Sequence, residues 1–450
     1  MTENRQTLSR SLYCAARCLA DVESGRSLTA VLGRVHPAER AAVQALSMYA
    51  MRNWGLAQAW RSVAMQRRST SDALNSLVGL SLLLLDIAML EAGEGGASHQ
   101  CPLGKDAPRY ASHTVVDQAV RAARLTTSAA FAPKLMNAIL RRFQREREAF
   151  VRAVAENDVA RWNYPVWWQR LLRETYPEQW QSILSVSKVA PDLVIRVNRR
   201  RASVQSVIDA MQAVNVTAVH LQEMAVMLKG AGSVDKLPGF EQGWWSVQDL
   251  SAQQAAPLLA PVAGARVLDA CSAPGGKAAH LLELADVELT AVDQDARRLG
   301  MVQQNLERLG LLDPSTVRLV HADVCHSKAW TASAPFDLIL ADVPCTASGV
   351  VRRHPDIAWL RRESDLEQTV QQQRDILDAL WPALAVGGRL LLVTCSVFEQ
   401  EGQRQAQALL ARHADAHQLD APGQILPQAS GVDRVCGRDG FFYAMFVKRG

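Results

Sequence analysis

Along the first ~150 residues, apolar side chains recur three and four positions apart and proline is scarce, as at Leu74, Leu77, Val78 and Leu82. That spacing predicts helices almost throughout. The clear break is Glu91 to Ser112, rich in Gly, Pro and small polar residues, which predicts a long exposed loop. Helical periodicity resumes over Thr114–Arg124 and Ala132–Arg147, lapses into a polar linker over Ala155–Pro165, and returns at Tyr164-Pro165-Val166-Trp167-Trp168. The period then changes. Strands are expected at Leu193–Asn198, Val216–Val219, Ala225–Leu228 and Trp244–Gln248, with a helix over Val204–Val214, which is the order of a small ferredoxin-like α/β module. From Val262 onward strands alternate with helices: Arg266–Asp269, Glu288–Val292, Val317–Val320, Phe336–Leu340 and Arg389–Thr394, with Phe441–Lys448 last. Such alternation means a mostly parallel sheet covered by helices on both faces. The expected division is a helical domain over 1–155, the small module over 156–247 and an α/β domain over 248–450.

A chain of 450 residues is too long for one ordinary core, which agrees with that division. Lys and Arg exceed Asp and Glu by only four, so global charge does not announce a nucleic-acid partner. Local charge says more. Arg141, Arg142, Arg145 and Arg147, with Arg152 beyond, suit either a solvated helix end or a phosphate-binding face. Three consecutive arginines, Arg199 to Arg201, repel one another unless an anion is near, which favours an RNA backbone. The eight cysteines include no C-x-x-C pair, and no His stands at ligand spacing to Cys14 and Cys18. Reduced thiols in a cytoplasmic protein with no metal site are therefore expected. No secretory leader is expected, and the longest apolar run, Leu77–Leu85, falls well short of the ~20 residues that span a bilayer.

The chemistry gathers at strand ends. The apolar run from Phe336 stops at Asp342, Pro344 and Cys345, followed by the small-residue loop Thr346-Ala347-Ser348-Gly349. Arg389 to Ser396 repeats the plan, with Cys395 at its end. Open α/β sheets bind ligands at the carboxyl ends of their strands, so both thiols and Asp342 are expected at the site. The strand from Arg266 runs into Asp269-Ala270-Cys271-Ser272-Ala273-Pro274-Gly275-Gly276-Lys277, a glycine turn opening a helix, without the G-x-G-x-x-G spacing of a dinucleotide site. Asp293 ends the next strand where a ribose-hydroxyl acceptor would stand, and Asp323 follows the third, near an adenine edge. A single strand-end acid would read as a helix cap. Three of them with a glycine loop favour a nucleoside ligand lacking a pyrophosphate, which points to S-adenosylmethionine. Cys14, Cys18, Cys101, Cys271, Cys325 and Cys436 keep the default of inert core thiols. Two strand-end thiols beside a methyl donor suit methylation at carbon 5 of a pyrimidine. A thiolate adds to carbon 6, carbon 5 becomes nucleophilic, and the carbon 5 proton must leave before the thiolate can. An acid such as Asp342 can hydrogen-bond the N3 edge and stabilise the charge that develops.

The motifs Asp269 to Lys277, Asp342-Val343-Pro344-Cys345 and Thr394-Cys395-Ser396, with the run from Gly349 to Leu360, resemble those of the RNA cytosine-5 methyltransferases. Within that family the chain is similar to the bacterial small-subunit (16S) ribosomal RNA enzymes of the RsmB/Sun type. The resemblance spans essentially the whole chain. It implies an all-α NusB-like RNA-binding domain, a small ferredoxin-like module and a Rossmann-like class I methyltransferase domain. It further implies Cys395 as the nucleophile, Cys345 as the thiol that assists proton removal or release, and Asp342 on the base. Cys271, Ser272, Ala273, Pro274, Gly275, Gly276, Lys277, Asp293, Asp323 and Asp342 are then expected to line the S-adenosylmethionine site. Arg199, Arg200, Arg201, Arg352 and Arg353 are expected at the RNA. The implied substrate is one cytidine of 16S rRNA or of a small-subunit assembly precursor, methylated by a monomer. The same chemistry on tRNA and a non-catalytic, antitermination-like RNA-binding factor are the alternatives. Val343 stands where alanine is commoner, Ala278 where threonine is usual, and the stretch after Cys395 lacks the usual proline and asparagine.

Overall fold

The structure is a computed structural model and describes residues 7–94, 107–127, 130–326, 329–331, 334–429 and 437–450. Cys101, Cys436 and most of the expected Glu91–Ser112 loop lie outside the described residues. The chain forms two compact units, one of Met1–Ala190 with Val351–Arg362 and one of Pro191–Val350 with Glu363–Gly450.

The first unit is helical. Its centre is the helix Asp72–Glu91, apolar on every side and therefore buried on every side. By length and composition this helix could cross a membrane, yet 89% of its apolar window lies inside the unit. Ser71 caps its start, accepting from the Leu74 N–H at 3.2 Å. Its buried acid, Asp86, accepts from Arg147 Nε at 2.6 Å, and both side chains are buried. Arg147 thus turns into the core, and only its neighbours can form a solvated face. Arg142 and Arg152 there pair with Glu146 and Glu148 one helical turn away. The expected linker over Ala155–Pro165 contains a further helix, Asp158–Trp162. At one turn it has no periodicity to read. It is held by its ends: Asn157 accepts from the Ala160 N–H, and Asn163 closes it with φ 65°.

Residues 351–362, expected within the α/β domain, belong instead to this helical unit. The Leu28 N–H donates to Asp356 Oδ2 at 2.7 Å, and Arg52 Nη2 donates to the Arg352 carbonyl at 3.1 Å. Trp359 and Leu360 pack against the helical core. Gly55 is required there, since a Cβ would lie 2.2 Å from the Val159 carbonyl oxygen.

The second unit holds two sheets. Strands β1 (Leu193–Val197), β2 (Thr217–Gln222), β3 (Ala225–Lys229) and β4 (Trp245–Val247) form an antiparallel sheet in the order β2-β3-β1-β4. The helix Val204–Ala213 covers it, burying Val207 and Met211 against Ile195, Val226 and Trp245. This is the expected ferredoxin-like module. The larger sheet comprises β5 (Arg266–Ala270), β6 (Glu288–Asp293), β7 (Val317–His321), β8 (Phe336–Asp342), β9 (Leu384–Thr394), β10 (Ala416–Ile425) and β11 (Phe441–Lys448), in the order β10-β11-β9-β8-β5-β6-β7. Strands β5 to β9 pair parallel, and β11 runs antiparallel between β9 and β10. Apolar clusters fill both faces, giving a Rossmann-like α/β domain. Edge strand β10 was not expected, because Pro422, Gly423 and alternating exposure break its apolar signal.

Arg196, on β1, ties the small module to this domain. Fully buried, it reaches Glu283 with two hydrogen bonds of 2.9 and 2.7 Å, and it also donates to Gln248 Oε1 and to the Gly276 carbonyl at 2.9 Å. A buried guanidinium needs such a full set of acceptors.

Candidate active site

Strand order reverses between β5 and β8, with β6 on the far side of β5, and the crevice above such a reversal is where these sheets bind ligands. Strand β5 delivers Asp269 to its floor. The carboxyl is fully buried, and burial pushes its pKa up to about 7, partly offset by the Ser272 hydroxyl donated to Oδ2 at 2.7 Å. Oδ1 has no partner among the described residues. The turn that follows places Cys271 at φ 60° and Gly275 at φ 91°, with the helix Gly276–Leu284 starting at once. At Gly275 the left-handed backbone is one that glycine adopts without strain. Asp293, ending β6, holds the turn: Oδ2 accepts from the Ala273 N–H at 3.0 Å, and Oδ1 from the Asp295 N–H. Arg298 Nη2 closes the same turn on the Ala273 carbonyl at 2.8 Å.

Cys271, Asp293, Gln294, Arg298, Asp323, Val324, Pro344 and Ile376 line one cavity beside this turn. The expected cofactor residues Cys271, Asp293 and Asp323 thus come together. Ser272, Ala273, Pro274, Gly275 and Gly276 form the turn itself, and Lys277 points toward β8. Asp293 at the end of β6 and Asp323 just after β7 line that cavity and suit a ligand carrying ribose hydroxyls, whereas Asp269 is fully buried and is not part of the lining. An adenosyl amino acid fits these residues. Burial raises the Cys271 thiol far above its ordinary range, whereas Cys325, expected in the core, is exposed, and partial desolvation with the Asp323 charge takes it to about 11.

Strands β8 and β9 bring the two expected thiols together. Cys345 Sγ and Cys395 Sγ lie 3.3 Å apart, with no disulfide between them. The hydrogen bond from the partner thiol, burial, and the charges of Cys395 and Glu401 hold Cys345 well above the ordinary thiol value. Asp342 accepts from Lys277 Nζ at 2.7 Å. Burial works against the Lys277 charge, but Asp342 and, more weakly, Cys395 outweigh it, and the ammonium is held above its ordinary value. Its Nζ also stands 5.6 Å from the centre of the Phe441 ring. A cation, a carboxylate and two thiols therefore share one end of the sheet.

Sequence reasoning missed what holds the thiol loops. Glu401, fully buried, accepts from the Thr346 N–H at 2.7 Å, from the Thr346 hydroxyl, from Ser396 Oγ at 2.6 Å and from Gln373 Nε2 at 3.3 Å. In sequence Glu401 is one polar residue in Glu399-Gln400-Glu401, and nothing there singles it out. The arginines expected at the RNA divide. Arg199 is exposed, Arg200 pairs with Asp286 at 2.7 Å, and the Arg201 guanidinium lies over Gly310. Arg352 and Arg353 belong to the helical unit, and Arg352 is buried and Arg353 half-buried.

A seven-stranded sheet with one antiparallel strand, a glycine turn after its first strand and acids at the next strand ends define a Rossmann-like methyltransferase domain. The comparisons agree. The family model described as 16S rRNA methyltransferase RsmB/F matches residues 256–447, and the RsmF/B-like ferredoxin-like domain matches 164–235. Ribosomal RNA small subunit methyltransferase B of Vibrio cholerae is 42% identical over 325 residues, covering 70% of this chain and 72% of that protein. The crystal structure of PH0851 superposes with a TM-score of 0.74 at 20% identity, covering 98% of this chain and 99% of that one. That of a methyltransferase homologue from Pyrococcus horikoshii gives 0.54 at 26% identity, over 64% and 97%. The chain belongs to the 16S rRNA methyltransferase RsmB/F family and is an RNA methyltransferase.

Proposed function

We propose that the chain methylates carbon 5 of one cytidine in 16S rRNA, or in a small-subunit assembly precursor, as a cytoplasmic monomer using S-adenosylmethionine. The observation that carries this reading is the 3.3 Å separation of the two free thiols just past the carboxyl ends of β8 and β9. The cofactor would be held by the Cys271–Lys277 turn, Asp293, Asp323 and Asp342, and it would supply an electrophilic methyl group, with S-adenosylhomocysteine as the product. A target base must leave its stack to reach these groups, so the cytidine is single-stranded or flipped. Cys395 adds to carbon 6 as the thiolate. Cys345, which holds its proton, is the poorer nucleophile. Its part comes after methyl transfer: water takes the carbon 5 proton, the freed pair restores the carbon 5–carbon 6 double bond, and Cys395 leaves as a thiolate that the Cys345 S–H, 3.3 Å away, stabilises. Asp342 meets the N3 edge of the ring as the carboxylic acid, taking a proton from the Lys277 ammonium 2.7 Å away and donating it toward N3 as charge develops there. The helical unit and the exposed Arg199 hold the RNA backbone.

The test uses unmodified 16S rRNA and tRNA with labelled S-adenosylmethionine, and bisulfite sequencing of the product. Label is expected at cytidine carbon 5 of 16S rRNA. Cys395→Ala should abolish both transfer and covalent adduct, and Cys345→Ala should accumulate a protein–RNA adduct stable to denaturing gels. Exchanged outcomes would reverse the two roles. Transfer to tRNA alone would move the substrate, and no binding of labelled cofactor would leave a non-catalytic RNA-binding factor.

A further inference from the structure

The two thiols stand on separate loops: the pairing of β8 with β9 ends at Asp342 opposite Val393, and each thiol lies two or three residues beyond it. The loop after β8 carries Cys345 and the loop after β9 carries Cys395, and the residue immediately after each thiol, Thr346 or Ser396, donates to one buried carboxyl group. A third element, the helix Glu363–Leu380, adds Gln373 Nε2, which bridges that carboxyl and the Pro344 carbonyl at 2.8 Å. Around this centre the loops are bonded again. Ser348 Oγ lies 2.8 Å from Ser396 Oγ and accepts from the Val397 N–H, and the Gly349 N–H donates to the Cys395 carbonyl at 2.9 Å.

We infer that Glu401 is a positioning residue for the two-thiol reaction, a carboxyl clamp that sets the distance between Cys345 and Cys395 by bonding the residue next to each. The inference rests on the proposed role of both thiols. Glu401 is fully buried and is not among the residues lining the cavity beside the glycine turn. Four donors converge on its two oxygens, and no neutral side chain of similar size offers that acceptor capacity. A buried acceptor set removed at its centre leaves the donors unpaired, so the loops must move to find other partners. Glu401 also adds negative charge beside Cys345, which agrees with that thiol keeping its proton.

The experiment measures sulfur proximity apart from methylation. Diamide takes the hydrogens of two adjacent thiols, leaving a disulfide and itself becoming the hydrazine, and the Cys345–Cys395 disulfide is quantified by peptide mass spectrometry. In Glu401→Ala, kcat should fall about 100-fold, the scale of a misplacement of roughly 1 Å, with KM for RNA and cofactor little changed and disulfide formation slowed in parallel. Glu401→Gln should recover part of both, because its oxygen still accepts from Thr346 and its amide can donate to the two hydroxyls. Should Glu401→Ala fail to fold, Thr346→Val and Ser396→Ala each remove one hydroxyl donor and should slow both readouts to a smaller degree. Unchanged kcat and disulfide rate in a folded Glu401→Ala, or in both hydroxyl variants, would overturn the inference. So would loss of kcat with disulfide formation at the wild-type rate. A failure of cytidine methylation by the wild type would instead sink the proposed function and leave the disulfide readout intact.

Discussion

Replacing Arg196 by alanine removes the guanidinium from a site where it is fully buried and where Glu283, itself only 3% exposed, has it as a bidentate partner. The carboxylate left behind stays in low dielectric with its main counter-charge gone. Breaking a buried pair from one side costs about 3–5 kcal/mol, a large part of the roughly 5–15 kcal/mol that holds a typical domain. In a unit of this size each kcal/mol is worth about 2–4 °C, so the melting temperature should fall by roughly 6–20 °C. Arg196 also donates to the Gly276 carbonyl, so the same change should loosen the cofactor turn and weaken S-adenosylmethionine binding. Thermal melts give the magnitude. Hydrogen exchange of peptides covering β1 and the helix Gly276–Leu284 locates it. The double variant Arg196→Met with Glu283→Met removes both charges and keeps volume, and it should regain most of the loss, because the penalty lies in the orphaned carboxylate. A single variant within 1 kcal/mol of wild type, or a double variant no better than the single, would refute the reasoning.

Asp269 gives a pH signature. Its folded pKa of about 7 lies above the ~3.9 of an unfolded aspartate, so between those values the folded chain keeps a proton the unfolded chain has lost. Its contribution is fully present below pH ~4 and is lost as pH rises through 7. Ligand-free Asp269→Asn, neutral throughout, should therefore gain on the wild type over that window, by on the order of 4 kcal/mol in total. Equal pH dependence in denaturant titrations of the two proteins would contradict it. Gly349→Ala would put a Cβ 2.1 Å from the Gly440 carbonyl oxygen, backbone that cannot swing aside. About 1–3 kcal/mol of overpacking is expected, with a loss of methyl transfer because Gly349 bonds the Cys395 carbonyl. Wild-type melting and turnover would show that the loop yields freely. In the helical unit, Asp86→Ala should cost about 3–5 kcal/mol by stranding Arg147, and hydrogen exchange confined to the Asp72–Glu91 and Ala132–Ala153 helices would check it.

What could be read from the sequence, and what could not, divides by the range of the interaction that decides it. The apolar cores of β8, of β9 from Leu390 onward and of β11 are legible because buried strands need no polar face, whereas β9 begins at Leu384, five residues before the expected start, where Gly387 and Gly388 break the apolar signal. The glycine turn and the two thiols are legible because such residue types are informative at the end of a strand, wherever the rest of the chain lies. Edge strand β10 and the one-turn helix at Asp158 fail that test, the first because one side needs no partner, the second because its caps do what periodicity does elsewhere. Charged residues fail it most. An arginine that grips RNA and one that locks a core look alike in sequence, since the difference is a carboxylate brought up by topology. Arg147 meets Asp86 across 61 residues, Arg196 meets Glu283 across 87, and Glu401 meets Thr346 across 55. Basic runs therefore do not by themselves mark an RNA face, and exposure ranks their members as targets for a test: Arg199 is exposed and Arg352 buried. Charge reversal at Arg199 should lower RNA affinity and flatten its salt dependence, whereas Arg352→Ala should show itself first in the melting of the helical unit.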